Sequence, residues 1–184
     1  MIRLALVMAV LVGALALLQT WRTGEGRRDR APERVEGRAR VVDGDTLRVD
    51  GVPVRLAGLD APELAQSCAR ADGAPYPCGE AAREALRRLI DDRSVACDVR
   101  GRDRYRRLLA RCRVDGEDLG RRLVRDGLAV AYRGYEAEER EARARRRGLW
   151  AGTFQPPEAW RRERRERSAE ARGPRILPAL PALP

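Results

Sequence analysis

The stretch that decides the fold is TLRVDGVPVRL, residues 46–56. Apolar and polar residues alternate on both sides of Asp50-Gly51, and a period of two is typical of strands with one buried face. An Asp-Gly pair between two alternating runs favours a tight hairpin turn, because both positions tolerate a positive φ. The stretch therefore predicts two antiparallel strands, residues 46–49 and 52–56.

Three more strands and three helices are predicted around this hairpin. Alternation at strand period marks the strands, and an apolar stripe at helical period marks the helices. The strands are residues 40–42, 94–99 and 108–114, and the helices are residues 79–91, 117–126 and 136–147. The fold class is therefore α+β, a small five-stranded β-barrel with three helices.

The first twenty residues have the composition of a targeting segment. An uninterrupted apolar run from Leu4 to Leu18 follows Arg3, and its length suits a signal peptide better than a full membrane span. No small-residue cleavage site follows, so an uncleaved membrane anchor through residues 4–18 remains open. We expect an exported chain, either periplasmic, secreted or anchored to the membrane. The predicted organisation is a signal or anchor at 1–20, a linker at 21–37, the folded domain at 38–160 and a charged, then proline-rich, disordered tail at 161–184.

Four cysteines fit an exported chain, because disulfides persist in oxidising compartments. Of the three possible pairings, closeness along the chain favours Cys68–Cys78 and Cys97–Cys112. Each closed loop would contribute roughly 3 kcal/mol in the chain-entropy model. A zinc site is the rival interpretation, and the absence of both histidine and a Cys-x-x-Cys spacing disfavours it.

The 184-residue chain is basic and contains no histidine. Its formal net charge of +10 favours polyanionic partners such as nucleic acids, although part of the excess lies in the tail after Trp160. Histidine-based catalytic triads and histidine-ligated metal centres are excluded. Any hydrolytic chemistry therefore has to use carboxylates, arginine and a metal ion.

Two short acidic clusters could supply that chemistry. The first is Asp43-Gly44-Asp45-Thr46, in which two carboxylates two residues apart would lie on the same side of a strand. The second is Asp60-Ala61-Pro62-Glu63, which follows an apolar strand. Arg55 lies between the clusters, and Arg107 follows later. A turn or a solvated loop would explain each feature singly, but together they provide cation ligands, a carboxylate base and guanidinium groups for phosphate.

The order of these segments resembles the staphylococcal nuclease (thermonuclease) family. The chain carries DGDT, an arginine, D-x-P-E and then D-x-Y-x-R at residues 103–107, and residues 127–132 and 147–150 also look like that family. The resemblance covers about residues 38–160. It implies a five-stranded OB-fold barrel with helices, in a monomer that performs calcium-dependent hydrolysis of DNA, RNA or both.

The resemblance also implies a metal site and a base. Asp45 and Asp60 match the calcium-ligating carboxylates, and the backbone carbonyl of Ala61 matches a further ligand. Asp43 matches a carboxylate in the outer shell of the metal. Glu63 matches the residue proposed as general base toward the attacking water.

The substrate-contacting residues follow from the same resemblance. Arg55 and Arg107 match the two arginines that hold the scissile phosphate and its developing charge. The tyrosines expected in the nucleotide pocket are Tyr105, Tyr132 and Tyr135.

One departure from the family pattern lies beside Arg107. Arg106 stands where the family usually carries glycine, and a bulky residue would disturb the turn that aims Arg107 unless it tolerates the required φ. If the site were inactive, the alternative is a non-catalytic OB-fold module that binds nucleic acid or protein.

Overall fold

Five strands close into a barrel in the computed structural model, which describes residues 32–171. The strands are, in chain order, β1 Arg34–Val41, β2 Thr46–Val49, β3 Val52–Leu56, β4 Leu59–Asp60, β5 Cys68–Ala69, β6 Pro75–Tyr76, β7 Ser94–Arg102, β8 Leu108–Val114, β9 Glu117–Asp118 and β10 Val130–Ala131. The barrel order is β3-β2-β1-β7-β8 with antiparallel neighbours, and a parallel pairing of β3 with β8 closes it. This closed five-stranded barrel has the expected OB-fold character.

The predicted hairpin at residues 46–56 is confirmed and sets the register of β2 and β3. Asp50 and Gly51 have φ of 45° and 81°, and Val49 pairs with Val52 across the turn. Because side chains alternate between the two faces of a strand, this register turns Leu47 and Val54 into the barrel core.

Within residues 32–171, four α-helices surround the barrel, one more than predicted. They are α1 Cys78–Ile90, α2 Leu119–Arg125, α3 Glu136–Ala144 and α4 Pro157–Glu170, and a short 3-10 helix spans Gly148–Ala151. The three predicted helices are α1, α2 and α3. Helix α2 begins after Asp118 rather than at residue 117, because the Asp118 carboxylate accepts the backbone N–H of Arg121 as an N-cap.

Two predicted domain boundaries differ from the structure. Residues 34–37 belong to β1 rather than to the linker, because they pair with β7. Residues 161–170 belong to α4 rather than to a disordered tail. The sequence of this helix has no clear apolar stripe at helical period. Ion pairs one turn apart, such as that of Arg167 with Glu163, stabilise it instead.

The other parts of the predicted linker, tail and N-terminal segment lie outside the described residues. Within residues 32–171, no helix is both long enough and apolar enough to cross a membrane.

Both predicted disulfides are present. Cys97 and Cys112 are directly paired residues of β7 and β8, and their bridge lies in the barrel core. Cys68 on β5 is bonded to Cys78, the first residue of α1. The second bridge therefore holds the start of α1 near the acidic cluster at residues 60–63.

Candidate active site

The first acidic cluster forms the turn between β1 and β2. The Asp43 carboxylate accepts the backbone N–H of Asp45 at 3.0 Å, which directs the Asp45 side chain into the protein. A Cβ at Gly44 would lie 2.8 Å from the Cβ of Ala61 and 2.9 Å from that of Ala82. Glycine is therefore needed here, because the second cluster and α1 both pack against this turn.

Arg55 on β3 joins the two clusters. Its Nη1 donates to Oδ1 of Asp45 at 2.6 Å, and its Nη2 donates to Oδ1 of Asp60 at 2.8 Å. Asp45 also accepts the Thr46 hydroxyl at 3.0 Å and the Ala61 backbone N–H at 3.2 Å. The prediction that Asp45, Arg55 and Asp60 share one site therefore agrees with their positions in the fold.

The environment of Asp45 makes its charge dependent on a positive partner. Burial raises the pKa of Asp45 to about 7, and the guanidinium of Arg55 opposes this shift. The charge of Asp45 near neutral pH therefore depends on the positive group beside it, a guanidinium or a metal ion.

The second cluster follows β4 and packs against the start of α1. Gln66, which is buried, accepts the backbone N–H of Glu63 at 3.2 Å and donates to the carbonyl of Gln155 at 2.7 Å. The N–H of Gly79 in α1 donates to the Gln66 carbonyl at 3.3 Å. These bonds fix the backbone of Glu63 and leave its carboxylate at the surface of the site.

We expect Gly79→Ala to lower the free energy of unfolding by about 2 to 3 kcal/mol. The added Cβ would lie 1.8 Å from the carbonyl oxygen of Glu63, so either the second cluster or α1 has to shift. Chemical denaturation measures the effect, and Glu80→Ala, at the next and exposed position, is the matched control with a change of about 0.5 kcal/mol or less. An unchanged stability of Gly79→Ala would contradict the close packing of Glu63 on α1.

Arg107, directly before β8, is hydrogen-bonded to two side chains. Its Nε donates to Oδ2 of Asp103 at 2.7 Å, and its Nη1 donates to the Thr46 hydroxyl at 3.2 Å. Because Thr46 also donates to Asp45, one hydroxyl connects Arg107 to the first cluster. The pKa of Asp103 is lowered, since hydrogen bonds from Arg107 and from the Tyr105 N–H outweigh the opposing effect of burial.

Arg106 keeps the turn that aims Arg107. Its φ is 66°, in the left-handed region that glycine usually occupies. The N–H of Arg106 donates to the Asp103 carbonyl, and the N–H of Asp103 donates to the Arg107 carbonyl, both at 3.0 Å. A left-handed arginine costs about 1 to 2 kcal/mol, which these hydrogen bonds offset. The departure from glycine therefore leaves the turn intact.

The three predicted tyrosines lie in different environments. Tyr105 and Tyr132 are 64% and 51% exposed, so their rings are accessible for stacking. Tyr135 is only 7% exposed, and its hydroxyl donates to the Asp118 carboxylate at 2.9 Å. Burial, with the charge of Asp118, raises the pKa of Tyr135. Its hydroxyl already holds α2, so its ring is far less accessible than those of Tyr105 and Tyr132, and a role in nucleotide binding stays a prediction.

Arg161 on α4 is a site residue that the sequence did not predict. Its Nη1 donates to Oε1 of Glu63 at 2.8 Å and to Oδ1 of Asp60 at 3.0 Å, while its Nη2 donates to Oδ2 of Asp60 at 2.8 Å. Helix α4 carries five arginines, and no local pattern distinguishes this one from its neighbours. Only the packing of α4 beside β4 identifies it.

The donor chemistry of the site suits a hard divalent cation. Asp45 and Asp60 are buried oxygen donors on converging segments, and such cations prefer oxygen ligands. Within residues 32–171, however, no group of three or more acidic or cysteine side chains is arranged to hold a metal ion. Arg55 and Arg161 instead balance the two carboxylates. A cation that binds here has to replace some of these arginine contacts.

Comparison with known proteins identifies the family of the chain. A family model described as "Staphylococcal nuclease homologue" matches residues 53–152. The chain belongs to the staphylococcal nuclease family. It is therefore a nuclease, an enzyme that hydrolyses phosphodiester bonds, and nucleic acid is its substrate.

Individual relatives of this family member match over different shares of their length. Succinoglycan biosynthesis protein ExoI of Rhizobium meliloti (strain 1021) is 37% identical over 148 residues, which cover 76% of this chain and 74% of the relative. An uncharacterized endonuclease of Haemophilus influenzae is 31% identical over 136 residues, which cover 67% of this chain and 71% of the relative. The probable staphylococcal-like nuclease CAN1 of Oryza sativa subsp. japonica is 32% identical over 123 residues, 63% of this chain but only 34% of that relative.

Proposed function

We propose that this staphylococcal nuclease homologue is a calcium-dependent enzyme in which Glu63 activates the attacking water and two arginines stabilise the phosphate. The observation that carries the proposal is one connected network. Arg55 bonds to both Asp45 and Asp60, and Thr46 bonds to both Asp45 and Arg107. A binding module without catalysis would have no use for this combination of buried carboxylates and oriented guanidinium groups.

The acidic residues divide between metal binding and proton transfer. Asp45, Asp60 and the carbonyl of Ala61 would hold the calcium ion, and Asp43 would act from the outer shell. When bound, the ion supplies positive charge that acidifies water and balances the phosphate. The Glu63 carboxylate, with 36% of its side chain exposed, can accept the proton of the attacking water.

The arginines supply the charge that the pentacoordinate transition state needs. Arg107 is oriented before substrate binds, because Asp103 and Thr46 already hold two of its nitrogens. Guanidinium groups match phosphate oxygens in charge and geometry, and their effect grows in a partly buried site. Arg55, which lies between the two clusters, would supply the second guanidinium group.

We further propose that DNA and RNA are both substrates of a monomeric enzyme. Tyr105 and Tyr132 offer exposed rings on which bases of either nucleic acid can stack. The two buried disulfides support export to the periplasm or the medium, or attachment to the membrane by residues 4–18.

Asp60→Asn tests the assignment of the cation site. We expect isothermal titration to give a calcium Kd at least about tenfold weaker than that of the wild-type chain, because the variant loses a charged ligand. Cleavage of labelled DNA should fall by about a hundredfold or more at a fixed, low calcium concentration. Asp115→Asn, which changes an exposed carboxylate paired with Arg93, is the matched control and should behave as wild type. Unchanged calcium affinity of Asp60→Asn would contradict the assignment.

A further inference from the structure

We propose that Arg161 is a positioning residue that holds Glu63 beside Asp60, so that helix α4 is part of the catalytic unit. This inference rests on the proposed function, since it concerns the orientation of the proposed base. Arg161 would be a third arginine in the site. It lies on α4, which begins after residue 152, the last residue that the family model matches.

The contact geometry makes Arg161 a bridge between two like charges. A single nitrogen, Nη1, donates to both Glu63 and Asp60, and Nη2 donates to the second oxygen of Asp60. Two carboxylates that close together repel each other unless a positive group lies between them. Without the guanidinium, the half-exposed Glu63 side chain would turn toward solvent, because Asp60 is buried and has less room to move.

The first turn of α4 is anchored to the acidic cluster by other contacts. Gln66 accepts the backbone N–H of Glu63 and donates to the carbonyl of Gln155, two residues before α4 begins. The Gln155 side chain then donates to Glu163 in the helix at 2.8 Å. The backbones that carry Glu63 and Arg161 are therefore tied together, and their ion pair is a fixed feature of the fold.

The bond of Arg161 to Glu63 does not depend on its bonds to Asp60. Arg161 contacts Glu63 through Oε1, so Oε2 is the oxygen that would accept the water proton. If Asp60 turned toward a cation, the bond from Nη1 to Glu63 could remain. A lysine could keep one such bond, but it lacks the planar pair of donors that spans both carboxylates.

Kinetics of three full-length variants test this role. We expect Arg161→Gln to lower kcat for a labelled oligonucleotide about 30- to 100-fold at saturating calcium, with KM within about twofold of wild type, because base orientation affects the chemical step. Arg161→Lys should recover part of the loss, since it restores one charged contact. Arg162→Gln, at the adjacent exposed position, is the matched control for charge and should match wild type.

Calcium affinity gives a second readout that is independent of turnover. By isothermal titration, Arg161→Gln should bind calcium at least as tightly as wild type, because the substitution removes a group that competes for Asp60. Unchanged or faster cleavage by Arg161→Gln would overturn the proposal, and so would equal losses in Arg161→Gln and Arg162→Gln. A wild-type chain that does not cleave DNA would instead contradict the proposed function, so the two failures are distinguishable.

Discussion

Arg107→Ala is expected to reduce the rate of DNA cleavage about a thousandfold, because it removes a pre-oriented guanidinium from the developing charge on phosphate. Asp103 and Thr46 fix this side chain before substrate binds, so little conformational entropy is lost when it contacts the phosphate. Single-turnover cleavage of a labelled oligonucleotide measures the chemical step directly. Arg100→Ala, an exposed arginine on β7, is the matched control and should retain full activity.

Arg107→Lys separates geometry from charge. Lysine keeps the positive charge but cannot bond to Asp103, Thr46 and phosphate with one planar group. We expect it to lose about a hundredfold, closer to Arg107→Ala than to wild type. A lysine variant with nearly full activity would contradict the role assigned to the guanidinium, and a fully active Arg107→Ala would exclude Arg107 from catalysis.

Glu63→Gln is expected to lower kcat by about a hundredfold to a thousandfold at neutral pH, since the amide cannot accept the proton of the attacking water. The amide keeps the size of the side chain, so binding of DNA should change little. Rates measured from pH 5 to pH 9 extend the test, because hydroxide can replace the missing base. The deficit of the variant should therefore shrink as the pH rises.

Glu80→Gln is the matched control for that experiment. Glu80 is an exposed residue in the first turn of α1, directly after Gly79, which packs against Glu63, and its loss should leave kcat unchanged. A Glu63→Gln variant with the wild-type rate at all pH values would show that another group, or the metal-bound water alone, carries the proton transfer.

The barrel could be predicted from the sequence because its decisive signals are local. Asp50-Gly51 fixes one hairpin by backbone preference, and alternation on either side then fixes which side chains face the core. The site residues Asp45, Asp60 and Arg55 could be grouped because Asp45 directly precedes β2, Arg55 lies on β3, and Asp60 lies on the short β4 that follows β3. The order of these segments along the chain predicts the grouping, whereas no single residue predicts it alone.

Helix α4 and its contact with the site could not be predicted, because its docking is polar. Its apolar surface is small, and the contact that ties it to the site depends on which of five similar arginines faces Asp60. The environment of Tyr135 is hard to predict from the sequence for a related reason. Its position in the chain suggested a pocket residue, whereas the packing of α2 directs its hydroxyl to Asp118.

Arg106 illustrates how backbone conformation can override a residue preference. The sequence raised a conflict between a bulky side chain and a turn that suits glycine, and the fold resolves it by holding Arg106 at a φ of 66°. The hydrogen bonds of residues 103–107 offset the local cost, so Arg107 keeps its place beside Thr46.

The measurement that tests the central claim most directly is the initial rate of DNA cleavage by the wild-type chain with calcium and then with chelator. We predict cleavage in calcium, a loss of at least about a hundredfold on chelation, and recovery when calcium is restored in excess. Equal cleavage with and without chelator would contradict the proposed role of Asp45 and Asp60 in holding a cation. Intact DNA at every calcium concentration would contradict the catalytic account as a whole.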